Sequence, residues 1–575
     1  IINSVDKRSS QMPPLEDLHK FFKKLNSEEN NQTSSTFENQ GENLREINEE
    51  INRQISHDEI LAAIKNLKNN KSPGPDNVLN EHLKSTIDLF LPIYGHLFNL
   101  ILDSGIVPES WALGDILPIY KNKGCMNLPE NYRPITLLSC LGKLFTSILN
   151  KRLYNYVEKY EIICHNQAGF RKGLSTVDNL FVLHSLFEMS KSCKNKLLCA
   201  FIDFKQAFDN VWRDGLWYKL QKYAINGKCL NLIKNMYSNI KSRVTTPEGN
   251  SAFFPCNKGV RQGENLSPIL FSLYLNDLET YLMTNGANGI VCEANAEYVL
   301  TYIKLLILLF ADDTVLFSND KNDLQSMLNL FERYCDNWKL TVNLAKTKVL
   351  IFTSGRYAQN LHFFFKGEEI EIVKEYKYLG IYLSKSGSFL NCKKHIAEQA
   401  NNALFSLLRK IRVLNLPIEM QIDLFNKLIK PILLYGCEIW AFGNLDIIER
   451  VQLKFIKRIL HLKKSTPSYM VYGETGLYPL KIDAQARTVS FWSNLLELNS
   501  QKLSSIIYTV LHTLYEQGKC KSSWLENVKN LVSSNGYANI WQTQSCMNKL
   551  WFCKSFKQKV KDQYLQQWNS LINTS

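Results

Sequence analysis

Hydrophobic positions along the chain follow two different periods. After "SHDE" at residues 56–59, which has the pattern of a helix capping box, apolar residues recur at helical spacing until "KSPGPD" ends the helix. The short apolar runs "LLCAFI" and "KVLIF" predict buried strands, and helical and strand-like segments alternate up to about residue 384. Beyond that residue the pattern is mainly helical. Residues 24–54 are rich in Asn, Glu, Ser, Gln and Thr, which predicts a flexible or weakly helical stretch, and residues 1–55 are expected to form a flexible N-terminal segment.

Two of the predicted strand regions place aspartates at strand ends. Residues 305–311 and 314–317 predict a hairpin with Asp312 and Asp313 at its tip, and the run "LLCAFI" is followed by Asp203. An isolated pair of aspartates is most often a turn or a cap. A second strand of the same design favours a metal site, because Mg²⁺ prefers carboxylates together with substrate phosphates. Two such ions about 4 Å apart can promote in-line phosphoryl displacement, as in polymerases.

Composition indicates a large folded protein. The 575 residues suffice for about three to four domains, and the hydrophobic fraction of 45% is typical of globular chains. The longest apolar run, residues 305–311, is far shorter than the roughly 20 residues of a membrane span, so no membrane partner is expected. The 14 cysteines include no CxxC pair, and no signal peptide is evident. We therefore expect a soluble intracellular protein of the cytoplasm or nucleus, without disulfides.

Nearly all of the net charge of +14 lies in the last third of the chain. Residues 385–575 contain 25 Lys and Arg against 12 Asp and Glu, which leaves a net charge of only +1 for the first 384 residues. The segment "IERVQLKFIKRILHLKK" predicts an amphipathic helix, with a basic face opposite an apolar arc. The basic face consists of Arg450, Lys454, Lys457, His461 and Lys464. This face fits either a solvated helix surface or nucleic-acid binding.

A series of motifs, in order and at similar spacing, resembles the reverse transcriptases of non-LTR (LINE-type, jockey-like) retrotransposons. The motifs are "KSPGPD", "NYRPITLLSCLGKLFTSILNKRL", "QAGFRKGLST", "AFIDFKQAFD", "GVRQGENLSPILFSLYLNDL", "FADDTVLF", "NLAKTK" and "YKYLGIYL". They cover about residues 56–384, and "KPILLYGCEIW" and "ETGLYPL" are similar more faintly. Each motif alone is weak, whereas the ordered series is specific.

The resemblance implies an RNA-directed DNA polymerase that extends a DNA 3′-hydroxyl on an RNA template with two Mg²⁺ ions, or Mn²⁺ in their place. The implied metal ligands are Asp203, Asp312, Asp313 and the main-chain carbonyl of Phe204. Lys346 in "NLAKTK" resembles the family's lysine that protonates the departing pyrophosphate. Asp209 is expected to cap a helix and not to bind metal.

The resemblance also implies residues that bind the incoming nucleotide. Phe208, five residues after Asp203, resembles the aromatic residue under the sugar that excludes a 2′-hydroxyl. The other implied nucleotide-binding residues are Gln262, Gly263, Lys121 and Arg133, the last two through the triphosphate. Arg171 either contacts the template backbone or braces the fingers. The family usually has a small residue and a proline where this chain has Glu264 and Asn265, which leaves the geometry of that loop open.

The fold implied is an α+β right-hand polymerase. Fingers and palm are expected over residues 56–384, a helical basic thumb over 385–490 and a helical C-terminal extension over 491–575. The thumb would bind the phosphates of an RNA–DNA duplex through Arg450, Lys454, Lys457 and Lys464. The expected partners are template RNA, a DNA primer or target, and deoxynucleoside triphosphates. Two alternatives remain: an inactive or repurposed nucleic-acid-binding descendant, and an RNA-synthesising polymerase of related palm design.

Members of this family often carry an endonuclease domain before the polymerase and sometimes a zinc knuckle after it. Residue 1 is Ile, so the chain could be a fragment that lacks an upstream endonuclease. A C-terminal zinc knuckle is not expected, because no histidine follows His512 and the spacing of Cys520, Cys546 and Cys553 does not match.

Overall fold

The computed structural model describes residues 12–27, 48–296, 299–353, 361–497 and 502–574. These residues group into two compact units, each assembled from separate stretches of the chain. The first unit contains the described residues up to Phe170, with Phe204–Tyr281 and Phe331–Asn343. The second unit contains Arg171–Asp203, Leu282–Leu330 and the described residues from Leu344 onwards. The unit borders differ from the predicted boundaries at residues 55, 384 and 490, and the division into fingers, palm, thumb and extension stays a prediction.

The helices are distributed along the whole described chain. In order they are α1 (Leu15–Asn26), α2 (Glu49–Asn52), α3 (His57–Lys65), α4 (Asn80–Ser85), α5 (Ile87–Ser104), α6 (Glu109–Ala112), α7 (Cys140–Lys159), α8 (Thr176–Ser192), α9 (Arg213–Lys222), α10 (Gly227–Ser238), α11 (Ser267–Leu275), α12 (Leu278–Thr284), α13 (Lys321–Asn337), α14 (Leu390–Leu414), α15 (Ile418–Leu428), α16 (Lys430–Leu433), α17 (Cys437–Trp440), α18 (Asp446–Ile459), α19 (Ser468–Thr475), α20 (Leu480–Leu495), α21 (Leu503–Glu516), α22 (Ser523–Ser534), α23 (Ala538–Thr543) and α24 (Lys549–Thr574). A short 3₁₀ helix spans Pro129–Asn131.

The strands lie between residues 113 and 384. In order they are β1 (Leu113–Tyr120), β2 (Tyr132–Leu137), β3 (Leu197–Ile202), β4 (Lys241–Thr246), β5 (Gly249–Asn250), β6 (Phe254–Pro255), β7 (Ile290–Ala296), β8 (Val299–Leu305), β9 (Ile307–Phe310), β10 (Asp313–Ser318), β11 (Lys348–Phe352), β12 (Phe364–Phe365), β13 (Glu368–Glu369), β14 (Ile372–Val373), β15 (Glu375–Tyr378) and β16 (Ile381–Ser384). After Ser384 the described chain is helical, as the hydrophobic pattern predicts.

The first unit combines helices with a sheet of order β2–β1–β4–β5, in which β6 also pairs with β4. Strand β1 is antiparallel to β2 and parallel to β4. Helix α1 belongs to this unit and buries Leu18 and Phe22 completely. The structure therefore differs from the predicted flexible segment at Leu15–Asn26, where an apolar residue every fourth position gives the helix a buried face. The rest of that segment lies largely outside the described residues.

The capping box predicted from "SHDE" is present at the start of α3. The Ser56 hydroxyl accepts from the Glu59 amide, and the Glu59 carboxylate accepts from the Ser56 amide. Glu59 also receives two hydrogen bonds of 2.8 Å from the Arg152 guanidinium on α7, so one residue caps α3 and joins it to α7. The helix ends at Lys65, before the predicted stop at "KSPGPD".

The second unit contains a sheet of order β14–β11–β3–β10–β9. The run "LLCAFI" forms β3 and "KVLIF" forms β11, as predicted. Every residue of β3 is buried, because the strand is central in the sheet and both of its faces are covered. Strand β3 is antiparallel to both β10 and β11.

The C-terminal helices of the second unit share one hydrophobic core with this sheet. The ring of Phe181 on α8 lies 5.5 Å from Phe491 and 4.9 Å from Trp524. Trp492, Trp524 and Trp541 are buried, whereas Trp551 is exposed. The residues beyond 490 are therefore part of the core of this unit. Among the described helices, none has the length and apolar content needed to cross a membrane.

Candidate active site

Strand register places Asp203 and Asp313 side by side in the second unit. Thr314 of β10 pairs with Ile202 of β3, so the next residues along the ladder, Asp313 and Asp203, lie opposite one another. Asp312 lies in the two-residue turn between β9 and β10, where Ala311 has a φ of +58° and Phe310 pairs with Asp313. The predicted hairpin is thus present in the structure, and its strand β10 places Asp313 next to Asp203.

The three carboxylates influence one another electrostatically. Restricted solvation of the Asp313 carboxyl group and repulsion from Asp312 and Asp203 raise its pKa to about 6, against an opposing effect of Lys346. Burial, together with the charges of Asp313 and Asp203, also raises the pKa of Tyr376 to about 12. Tyr376 stacks on Phe201 of β3 at 4.3 Å between ring centroids. The aspartates therefore form a concentrated negative site beside an aromatic pair.

Lys346 lies in direct contact with this site. Its Nζ donates to Asp203 Oδ2 over 3.1 Å. Strand register explains the contact, because Lys348 of β11 pairs with Phe201 of β3, which brings the residues just before β11 next to those just after β3. The Asp203 amide donates to the buried Thr347 hydroxyl over 3.3 Å, which ties the same two segments together. Lys346 therefore occupies the position at which the resemblance predicts a lysine beside the metal ligands.

The donor chemistry of the site suits a divalent cation only in part. Asp312 and Asp203 raise the pKa of Asp313, and a cation bound there would relieve this repulsion. In the described part of the chain, however, no three His, Cys, Asp or Glu side chains are grouped closely enough to hold a metal ion. The arrangement fits Mg²⁺ bound by one or two carboxylates, with the other ligands coming from water and substrate phosphates, which is how proteins usually hold this ion.

Phe204 and Phe208 belong to the first unit. Phe204 forms an isolated antiparallel bridge with Val342, and its ring lies 5.9 Å from Phe331. Its role as a main-chain metal ligand stays a prediction. Phe208 stacks on the fully buried Phe271 of α11, with ring centroids 4.7 Å apart and planes 22° apart. The predicted sugar-contacting ring is thus held by a rigid aromatic neighbour.

The loop "RQGEN" connects to two parts of the first unit. The Thr136 amide on β2 donates to the Gln262 carbonyl over 3.0 Å. Gly263 has a φ of +116°, and a Cβ there would lie 2.6 Å from the Thr136 carbonyl oxygen, so only glycine fits. Helix α11 begins at Ser267, shortly after the loop.

The two positions that depart from the family pattern anchor the loop to α7. Glu264 is buried and accepts from the Thr146 hydroxyl over 2.6 Å. The Asn265 side chain donates to the Lys143 carbonyl over 2.8 Å. In this chain, polar contacts therefore hold the loop where the family uses a small residue and a proline.

Asp209 does not cap a helix, so the expectation from sequence is wrong. Helix α9 begins at Arg213, and its N-cap Trp212 makes no side-chain capping bond. The Asp209 carboxylate instead accepts from Gln262 Nε2 over 3.0 Å. Its only signal in the sequence is its place next to Phe208 in "QAFDN".

The three basic residues predicted to contact nucleotide or template do not all belong to the same unit. Lys121 and Arg133 are exposed residues of the first unit, and Lys121 Nζ donates to the Glu130 carbonyl over 2.7 Å. Arg133 lies on β2 opposite Ile119. Arg171 is half-buried in the second unit, where its carbonyl accepts from the Leu174 amide.

The predicted basic helix is confirmed in part. Helix α18 exposes Arg450 and Lys454 and buries most of its apolar residues, but it ends at Ile459. His461 and Lys464 therefore lie beyond it, which corrects the predicted continuous basic face. The chain reverses at His461, which has a φ of +52°, and Lys457 Nζ donates to the Lys464 carbonyl over 2.7 Å. The Lys457 side chain thus links the last turn of α18 to the segment that follows it.

The β3–β10 aspartate site lies within a segment that matches a known family. Residues 119–383 match the family described as reverse transcriptase (RNA-dependent DNA polymerase). The chain carries a reverse transcriptase domain. This reverse transcriptase domain includes Asp203, Asp312, Asp313 and Lys346, and its mixed α/β structure agrees with the expected fold class.

The curated relatives of the reverse transcriptase domain are polymerases of non-LTR retrotransposons. The chain is 30% identical to the probable RNA-directed DNA polymerase from transposon BS of Drosophila melanogaster, over 70% of this chain and 44% of that protein. It is 27% identical to the RNA-directed DNA polymerase from mobile element jockey of Drosophila melanogaster, over 72% of this chain and 44% of that protein. The chain thus spans less than half the length of these relatives.

Solved structures resemble the chain more weakly. A telomerase from Candida tropicalis, solved with a fragment of telomeric RNA, is 12% identical, covers 76% of this chain and 67% of its own, and has a TM-score of 0.36. A similarity of that size supports no argument about the arrangement of the two units.

Proposed function

We propose that this chain is an RNA-directed DNA polymerase of a non-LTR retrotransposon, which extends a DNA 3′-hydroxyl on an RNA template. The observation that carries the proposal is the β3–β10 register, which sets Asp203 against Asp313 and brings Lys346 onto the Asp203 carboxylate. The reverse transcriptase match over residues 119–383 and the relatives from transposons BS and jockey support the same activity.

In the proposed mechanism, Asp203 and Asp313, with Asp312, would hold the divalent ions. When bound, Mg²⁺ or Mn²⁺ supplies activation of the attacking 3′-hydroxyl and charge stabilisation of the departing oxygen. The protein positions these carboxylates on the ends of buried, paired strands, so little reorganisation is needed during reaction. Lys346 holds a proton at Nζ beside the site, from which it can protonate the departing pyrophosphate.

We assign nucleotide binding to residues of the first unit. Phe208, fixed on Phe271, would lie under the sugar and exclude a 2′-hydroxyl. Gln262 and Gly263 would pack against the incoming nucleotide, and Lys121 and Arg133 would neutralise its triphosphate. Main-chain bonds and aromatic packing hold Phe208 and Gln262 in place, as nucleotide selection requires.

We assign duplex binding to the basic C-terminal third as the thumb of a right-hand polymerase. Arg450 and Lys454 are exposed on α18. The net charge of +13 over residues 385–575 supports contact with nucleic-acid phosphates, which fixes register without reading bases. Arg171 is a further candidate for contact with the template backbone.

Primer extension tests the proposal. With a DNA primer on an RNA template and Mg²⁺, we expect the chain to incorporate deoxynucleotides in preference to ribonucleotides. Asp203→Asn and Asp313→Asn should each lower the rate by about 10³-fold or more, because the site then lacks a charged metal ligand. Circular dichroism melting should show that both variants still fold.

The matched control is Glu398→Gln, which changes an exposed glutamate on α14 in the same unit and should extend primers normally. No extension by the unmodified chain would favour a repurposed nucleic-acid-binding protein. Full activity of the aspartate variants would refute the metal assignment, and equal use of ribonucleotides would refute the role of Phe208.

A further inference from the structure

Asp209 lies between the two side chains to which nucleotide binding is assigned. It directly follows Phe208, and its carboxylate accepts a hydrogen bond of 3.0 Å from Gln262 Nε2. Its own amide donates to the Gln206 carbonyl over 3.0 Å, within a run of turns that precedes α9. Asp209 is thus fixed at its main chain and free to hold Gln262 with its side chain.

Main-chain contacts join the segment that contains Asp209 to the loop that contains Gln262. The Val260 amide donates to the Phe208 carbonyl over 2.8 Å, and the Gly259 amide donates to the Val211 carbonyl over 2.9 Å. A Cβ on Gly259 would lie 2.5 Å from the Asp209 carbonyl oxygen, so these segments pack at the closest distance the backbone allows. The side-chain bond from Gln262 to Asp209 extends this junction.

Gln262 is consequently held at two points. Its carbonyl accepts from the Thr136 amide of β2, and its side-chain amide donates to Asp209. A glutamine side chain has three rotatable bonds, and fixing it costs rotamer entropy. Because Asp209 fixes the side chain before a ligand arrives, the nucleotide does not have to supply that cost on binding.

The burial and the charges around Asp209 fit a carboxylate that makes a specific contact. Burial raises the pKa of Asp209 to about 7, while Lys121, Lys258 and the bond from Gln262 favour the charged form. A desolvated carboxylate is destabilising unless it is hydrogen-bonded and paired, so its presence here requires partners. One of those charges, Lys121, is itself assigned to the triphosphate.

We propose that Asp209 is a positioning residue of the nucleotide site, which pre-orients Gln262 for contact with the incoming deoxynucleoside triphosphate. This inference rests on the proposed polymerase function. Asp209 touches no reacting atom in this proposal and acts only through the glutamine. It connects the residue that contacts the sugar, Phe208, with the residue that packs against the base pair, Gln262.

The test compares Asp209→Ala, Asp209→Asn, Gln262→Ala and the double variant Asp209→Ala/Gln262→Ala. Steady-state primer extension gives KM for the deoxynucleotide and kcat separately. Equilibrium binding of a fluorescent deoxyadenosine triphosphate gives nucleotide affinity without turnover, and gel shift on an RNA–DNA duplex reports nucleic-acid binding. Thermal melting monitors the fold of each variant.

We expect Asp209→Ala to raise KM and the nucleotide Kd about 5- to 10-fold, with kcat and duplex binding within about twofold of the unmodified chain. Asp209→Asn keeps an oxygen acceptor for Gln262 Nε2 and should recover most of the affinity. The double variant should match Gln262→Ala, because both changes remove the same contact.

Three results would overturn the inference: additive effects in the double variant, an Asn variant no better than Ala, or a parallel loss of kcat, duplex binding and melting temperature. Absence of nucleotide binding by the unmodified chain would also overturn it. If the unmodified chain binds nucleotide in an Asp209-dependent way but does not extend primers, the inference holds and the proposed polymerase function fails.

Discussion

Asp203 makes a contact in this structure that it cannot keep during the proposed reaction. Its Oδ2 accepts from Lys346 Nζ, and the same oxygen belongs to the set assigned to the divalent ions. An ammonium group and a metal ion cannot both occupy the space in front of one carboxylate oxygen. An ion held by Oδ2 would therefore displace Lys346, which would then be available for proton donation.

Replacing Lys346 should separate metal binding from chemistry. Lys346→Met should lower the Mg²⁺ concentration for half-maximal extension by about two- to fivefold, because an exposed ion pair of up to about 1 kcal/mol no longer competes. It should also lower kcat by roughly 10²-fold or more through loss of the proton donor. A Mg²⁺ titration of primer extension measures both quantities. Lys348→Met, which removes a lysine paired with Glu371, is the control and should leave the Mg²⁺ dependence unchanged.

The Asp313 carboxylate should destabilise the folded chain at neutral pH when no metal is added. Its pKa is raised to about 6, so the charged form is disfavoured in the folded chain above that pH. Asp313→Asn should therefore raise the free energy of unfolding by up to about 1 kcal/mol, after allowance for solvent screening of an exposed residue. Urea unfolding at pH 7.5 with EDTA measures the change, with Glu398→Gln as control. A less stable Asn variant would contradict this account of the site.

At the scale of elements, one carboxylate of α8 holds the start of α22. Glu188 is buried and accepts from the Ser523 amide over 2.8 Å and from the Ser523 hydroxyl over 2.6 Å. Ser522, the N-cap of α22, also donates to Glu188. The carboxylate thus satisfies the free donors at a helix N-terminus more than 330 positions away in sequence.

Glu188 should make the stability of the second unit sensitive to acid. Burial alone would raise its pKa, but His184 and the hydroxyls of Ser522 and Ser523 outweigh burial and lower the pKa to about 2. A lowered carboxyl pKa adds stability that is present above about pH 4.5 and is lost progressively as pH falls towards 2. Glu188→Gln should therefore reduce the free energy of unfolding by about 3 kcal/mol at pH 7 and by less at pH 4.

Denaturant unfolding at the two pH values checks this prediction. The control is Glu474→Gln, which alters an exposed glutamate of the same unit and should leave stability unchanged at both pH values. An equal loss of stability at pH 7 and pH 4 for Glu188→Gln would show that its charge is not what matters.

The elements with strong local signals could be predicted from sequence, and the contacts between distant segments could not. The positions of β3 and β11 follow from the apolar runs "LLCAFI" and "VLIF", which are bounded by polar residues. The bond between Asp209 and Gln262 joins residues 53 apart and depends on tertiary packing that no local pattern reveals. The end of α18 was predicted too late because apolar and basic spacing continues past Ile459, where the backbone reverses at His461.

At the scale of the whole molecule, the residues after 497 should be required for folding of the second unit. Ile507, Leu511, Trp524 and Val528 are completely buried, and each contributes about 1.5–3 kcal/mol through burial. Their combined contribution is comparable to the 5–15 kcal/mol of a typical domain. A chain ending at residue 497 should therefore lose the cooperative unfolding transition of the second unit and should not extend primers.

A chain ending at residue 569 is the matched control. It retains Trp568, whose indole donates to the Tyr469 carbonyl over 2.7 Å, and removes residues 570–575, of which 570–573 are exposed. It should melt and extend primers like the full chain. Normal melting and activity of the shorter chain would show that the C-terminal helices are dispensable.

The interleaving of the second unit has a consequence for synthesis on the ribosome. Its core joins Leu180 near the beginning to Phe556 near the end, with stretches of the first unit in between. A nascent chain emerges from its N-terminus, so strand β3 and helix α8 are synthesised long before the C-terminal helices that complete their core. Products of termination before the C-terminal helices would consequently carry the aspartates without the core that aligns them.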